Sequence, residues 1–140
     1  MDAFVAGLFA LLGAFAGAWF ARRTQYEKWL LENRSEVFAR YLDLIHQGRN
    51  EATNSLSTPK SEGIAREIGV TEAYLPASAY ARVVRLYLPN QYREEFQALS
   101  QGIWAFHASE GLGGGRYKKM NEKLDRIQEI FEECVDAANK

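Results

Sequence analysis

Two hydrophobic patterns divide the chain. Residues 3–21 form one unbroken apolar run, and from Arg22 onward apolar positions recur at three- and four-residue intervals among charged ones. The opening run, MDAFVAGLFALLGAFAGAWFA, has no charge and no proline from Ala3 to Ala21, and Arg22 and Arg23 close it. At about 1.5 Å of rise per residue a helix of this length reaches roughly 28 Å, close to the hydrocarbon thickness of a bilayer. The pattern therefore predicts a transmembrane helix over residues 1–21, with residues 22–140 forming a second, helical part.

Side-chain size within the run is also sorted. On a helical projection Ala3, Ala6, Gly7, Ala10, Gly13, Ala14, Gly17, Ala18 and Ala21 share one half. Phe4, Val5, Leu8, Phe9, Leu11, Leu12, Phe15, Trp19 and Phe20 share the other, and only Ala16 strays. Lipid contact alone gives no reason to separate small residues from large ones, whereas close approach of a second helix does. Gly13 and Gly17 form a GxxxG step inside the small face. Gly7, Ala10, Gly13, Ala14 and Gly17 are thus the expected contact residues of a self-associating span. The plainer alternative is an accidental pattern, since glycine is frequent in membrane helices.

A cleaved secretory signal fits poorly, because it needs a basic start and the only early charge is Asp2. Arginines after the span and none before it predict an outward N-terminus and a cytoplasmic bulk. Trp19, Arg22 and Arg23 would then lie at the membrane interface. Arg22, Arg23 and Lys28 make a basic cluster too small for a dedicated lipid-recognition patch, which uses about four to eight charges.

About 119 residues remain beyond the span, enough for one domain with its own core. Their periodicity is helical, with expected helices at 22–52, 61–88, 91–109 and 116–138. The first continues from the span and carries the stripe Tyr26, Leu30, Val37, Tyr41 and Leu44, widened by Phe38, Leu42 and Ile45. Its outer face pairs Arg23 with Glu27, Lys28 with Glu32, and Glu36 with Arg40 at i,i+4. Gly48 and the polar tract from Asn54 to Pro59 mark a turn or helix end. The second helix is weakened by Gly63, Gly69 and Pro76, which predicts a kink or break between Gly69 and Pro76. Its stronger half presents Tyr80, Val84 and Tyr87, flanked by Val83 and Leu86. Pro89 ends it, and Asn90 is the expected N-cap of the third helix. That helix presents Tyr92, Phe96, Leu99, Ile103 and Phe106; the fourth presents Tyr117, Met120, Leu124, Ile127, Phe131, Cys134 and Ala138 in a heptad-like seam. Short connections favour an antiparallel, up-and-down bundle. The expected fold class is all-α: one transmembrane helix continuing into a bundle of about four helices.

Two segments carry a resemblance. Trp29-Leu-Leu-Glu-Asn-Arg-Ser-Glu-Val-Phe-Ala-Arg-Tyr-Leu42, and Tyr80-Ala-Arg-Val-Val-Arg-Leu-Tyr-Leu-Pro-Asn-Gln-Tyr-Arg-Glu-Glu-Phe96, follow the N-terminal span. In this order they resemble small bacterial membrane-anchored helical proteins. The resemblance implies an architecture and an inner-membrane location; it supplies no catalytic residues.

Composition adds mostly exclusions. With 17 basic and 18 acidic residues the chain is nearly neutral, so no polyanion, and no nucleic acid, is implied as a partner. The single Cys134 lies in an apolar stripe and reads as a buried reduced thiol. His46 and His107 lie in no metal-ligand spacing and suit helix ends. No metal or cofactor motif is present, and the expected protein is not an enzyme.

Two chemical candidates remain. Gly113, Gly114 and Gly115, with Arg116 and Lys118, would offer an anion free backbone N–H groups before a helix. The Walker spacing is absent, and a flexible connector needs only those glycines. Arg82 and Arg85 would pair with Glu94 or Glu95 across the turn, or else form an anion or partner site. The expected function is a membrane-anchored adaptor or scaffold that forms a homo-oligomer through its span and presents a cytoplasmic bundle to a protein partner. One rival is an oligomeric membrane-perturbing or pore-forming effector, disfavoured because no polar side chain lies between Ala3 and Ala21 to line a water path. A weaker rival is an anion or nucleotide sensor built on the glycine-rich loop.

Overall fold

A computed structural model describes the backbone of residues 2–57, 64–110 and 114–139, and the side chains of Gly7 and of residues 9–55, 68–103 and 118–138. All regular structure among them is helical: α1 (Asp2–Ser57), α2 (Ile64–Tyr87), α3 (Asn90–Glu110) and α4 (Gly114–Asp136), followed by a 3₁₀ turn, Ala137–Asn139. The chain divides into two compact units, Met1–Asn33 and Arg34–Lys140. Among the described residues no helix is long and apolar enough to cross a membrane. The transmembrane assignment of residues 1–21 therefore rests on the sequence run, whose first side chains lie outside the described set.

In the second unit the helices pack antiparallel. Arg34 of α1 reaches the Tyr87 carbonyl at the end of α2, while Gly48, further along α1, meets Ala73 and Tyr74, earlier in α2. α1 and α4 run past each other in the same way, from Arg34 with Cys134, through Phe38 with Phe131, to Arg49 with Asn121. Tyr92 with Glu133 and Glu95 with Arg126 set α3 against α4. α2 and α3 are joined by Leu88 and Pro89 alone and pack together. An all-α antiparallel bundle is the result.

An aromatic cluster joins three helices at its centre. Phe38 and Phe131 stack with ring centroids 4.0 Å apart, and Tyr41 meets Phe96 edge-on at 5.2 Å. Phe131 also lies 5.9 Å from Phe96. Such pairs add about 0.5–1.5 kcal/mol each beyond the burial of their surfaces. Around them the predicted stripes supply most of the core: Val37, Ile45, Val84, Ile103, Met120, Leu124, Ile127 and Cys134 are buried. Ile130 joins them from a position outside the predicted seam, whereas Tyr26 and Leu86 are exposed. Phe106 and Tyr117 have side chains outside the described residues.

Three local expectations are corrected. α1 runs on through Gly48 and ends at Ser57, inside the polar tract where a turn or helix end was expected and beyond the expected end at 52. The glycine serves packing: a Cβ there would stand 2.8 Å from the Ala73 carbonyl oxygen and 2.9 Å from a Tyr74 ring carbon. Of the expected kink or break, the break does not occur: α2 passes Gly69 and Pro76 as one helix. Pro76 is exposed, while Val70, Ala73, Tyr74 and Ala77 are buried, so packing of the opposite face offsets the lost backbone bond. Arg40 pairs with Asp43 at 3.3 Å instead of with Glu36; the pairs of Arg23 with Glu27 and Lys28 with Glu32 form.

At the α2–α3 junction the Tyr92 amide donates to the Pro89 carbonyl at 3.0 Å, and Arg93 Nε donates to the Leu88 carbonyl at 2.9 Å. The first bond opens α3, and the second gives a partner to the carbonyl of Leu88, just past the end of α2. α3 begins at Asn90.

Gly48→Ala is expected to destabilise the bundle by about 1–3 kcal/mol, the cost of forcing atoms into a packed interface. Urea unfolding followed by circular dichroism measures it; a change below the error of the midpoint would contradict the close approach of α1 and α2.

Candidate functional site

The first candidate lies on the N-terminal part of α1 and is described within its own unit. Phe9, Leu11, Leu12, Phe15, Trp19 and Phe20 are all exposed, Phe15 by 79%. The small face is open as well: Ala10 and Ala14 are exposed, and a Cβ placed on Gly7, Gly13 or Gly17 would meet nothing within 4 Å. The large side chains recur at helical spacing, so they form a continuous apolar surface. Water-facing protein surfaces rarely carry such a surface without a partner for it. The side chains of Ala3, Phe4, Val5, Ala6 and Leu8 lie outside the described residues.

Polar contacts begin where this surface ends. The Arg23 guanidinium lies 5.8 Å from the Trp19 ring centroid and also pairs with Glu27 at 3.1 Å. Trp19 meets Phe20 edge-on, and Tyr26 stacks on Trp29. Arg22 is exposed. Trp19, Arg22 and Arg23, the expected interface residues, thus stand together at the boundary between apolar and charged surface.

The glycine-rich candidate falls largely outside the described residues. Gly113 is not among them; Gly114, Gly115 and Arg116 contribute described backbone to the first turn of α4, and Lys118 is exposed. His107 has its side chain outside the set, and His46 is exposed on α1.

Within the bundle, charge is organised by two arginines to which the sequence reading assigned no role. Arg34 donates through Nε to Tyr87 O at 2.9 Å and through Nη1 to Cys134 O at 3.2 Å. One cation so serves carbonyls near the C-terminal ends of α2 and α4, where the helix dipole favours positive charge. The available signal was its place between Leu30 and Phe38, an arginine at a core-facing register. Arg126 gathers Glu95 at 2.7 Å, Glu129 at 3.0 Å and Glu133 at 3.4 Å. The expected pairing of Arg82 or Arg85 with Glu94 or Glu95 does not form; Glu95 is held instead by Arg126 of α4.

These contacts hold structure. Cys134 is buried, and burial pushes its thiol above the ordinary range, which disfavours the thiolate that reacts. Burial likewise pushes the Tyr41 hydroxyl up. Among the described residues no group of His, Cys, Asp and Glu side chains is placed to hold a metal ion. No family model, curated protein or solved structure matches the chain.

The Tyr92 hydroxyl donates to the Glu133 carboxylate at 2.5 Å. That bond, with Arg126 beside it, holds Glu133 below its ordinary pKa; the same bond raises Tyr92. A lowered carboxyl contributes stability above its unfolded pKa and loses it as pH falls through the folded value; a raised phenol contributes below its unfolded pKa and loses it as pH rises through the folded value. The melting-temperature gap between wild type and Tyr92→Phe is therefore expected to be widest between about pH 5 and 10 and to narrow on both sides. A gap independent of pH would contradict the bond.

Proposed function

We propose that this protein is a membrane-anchored helical adaptor. The N-terminal part of α1 inserts in a membrane and self-associates through Gly7, Ala10, Gly13, Ala14 and Gly17, and the bundle engages a protein partner on the cytoplasmic side. The observation that carries this reading is the apolar surface from Phe9 to Phe20, exposed beside a face where Gly13 and Gly17 leave open space. Lipid accounts for the large side chains, and a second copy of the helix accounts for the small ones. Arg22 and Arg23, with no basic residue before them, support an outward N-terminus. The resemblance carried by residues 29–42 and 80–96 favours a bacterial inner membrane.

In this reading the protein acts by assembly. Holding several bundles on one oligomer raises their effective concentration toward a multivalent partner without new contacts. The Arg34, Arg126 and aromatic contacts keep each bundle rigid while it is presented.

The pair Gly13→Leu with Gly17→Leu keeps the run apolar and fills the small face. Crosslinking in native membranes is expected to show oligomer reduced by about tenfold, equivalent to about 1.4 kcal/mol of lost association. Oligomer unchanged, with the protein still in the membrane fraction, would remove self-association from this helix; protein absent from that fraction in wild type would remove the anchor.

A further inference from the structure

A cavity of about 240 Å³ opens in the bundle among α1, α2 and α3. Tyr41, Ile45 and Tyr74 form its apolar wall, and Arg82 and Arg85 stand on its α2 side. Ser78, Gln97, Ser100 and Gln101 add neutral hydrogen-bonding groups, and no acidic side chain lines it. The space is below the usual 300–1,000 Å³ of small-molecule sites, so it suits a compact ligand.

The two arginines set the ligand's charge. They lie three residues apart on α2, hence on one face, with like charges that repel. Their helical neighbours at three and four residues are Ser78, Ala79, Ala81, Leu86, Leu88 and Pro89, none acidic. Across the interface Glu95 is taken by Arg126. Among the described residues neither arginine has an ion-pair partner. Planar guanidinium groups match the oxygens of phosphate, and two of them balance a dianion. The Ser100 hydroxyl, its proton donated to Gln97 O at 3.0 Å, offers the cavity an acceptor, and the glutamine amides offer donors and acceptors.

We infer that this cavity binds the phosphoryl group of a small phosphate monoester, with Arg82 and Arg85 as its charge partners. The inference is independent of membrane anchoring, since every lining residue belongs to the Arg34–Lys140 unit. The ester is either a free solute or the headgroup of a phosphatidic-acid-like lipid.

Isothermal titration of the full chain in detergent tests it, with glycerol 3-phosphate as probe, glycerol as neutral control and L-malate as carboxylate control. Saturable binding of glycerol 3-phosphate below about 1 mM is expected, weakened at least about tenfold in Arg82→Gln and in Arg85→Gln. Arg40→Gln, on the exposed face of α1 and outside the cavity lining, keeps it. Circular dichroism checks that each variant stays helical. Dihexanoyl phosphatidic acid binding more tightly than glycerol 3-phosphate, with the same arginine dependence, assigns the lipid source; weaker binding assigns the solute. No saturation by about 10 mM, binding unchanged in both arginine variants, or tighter binding of L-malate overturns the site.

Discussion

Arg34 is the constraint on which the register of the bundle depends. Its two bonds tie α1 at once to the last carbonyl of α2 and to a carbonyl near the end of α4. Carbonyls at helix ends lack partners along their own helix, and leaving them unpaired in a partly buried place costs about 1–3 kcal/mol each. A planar fork with several N–H donors meets both; lysine, with a compact ammonium, does not present that geometry. With this end pinned, Phe38 lies over Phe131, Tyr41 meets Phe96, and Gly48 reaches its close approach to Ala73.

Arg34 is also the first residue of the second unit. The same helix therefore has two characters. From Val37 onward Val37, Phe38, Tyr41, Ile45 and Ala52 are buried in the bundle, and from Phe9 to Trp29 the described large side chains are exposed. Burial of the first set stabilises the fold at about 25 cal/mol per Å² of apolar surface; the second set gains nothing from the fold and calls for a partner outside the chain. Lipid and a second copy of the helix supply that partner in the proposed function.

Much of the bundle was legible because its stripes are regular. The seam from Met120 to Cys134 lies at heptad spacing and is buried throughout. What could not be read were places where a residue type has two uses. Gly48 carries the local signal of a turn, yet tertiary packing recruits it as a point of helix contact. Pro76 carries the signal of a break, yet the buried face opposite holds α2 together. Arg34 and the Arg82–Arg85 pair were visible as arginines near apolar stripes, but their partners depend on which helix ends and carboxylates the fold brings near. Glu95 was in reach of α2 by sequence and belongs to α4 in space. The small face of α1 was drawn from helical spacing alone, and Gly7, Ala10, Gly13, Ala14 and Gly17 do lie on one continuous helix.

The central claim is that the exposed apolar surface at the start of α1 is covered by lipid. Hydrogen–deuterium exchange of the full chain in phosphatidylcholine nanodiscs tests it most directly. Amides from Phe9 to Phe20 should exchange at least about a hundredfold more slowly than those from Thr24 to Lys28, since no water reaches a backbone within the hydrocarbon. Equal exchange across the two stretches would contradict the claim.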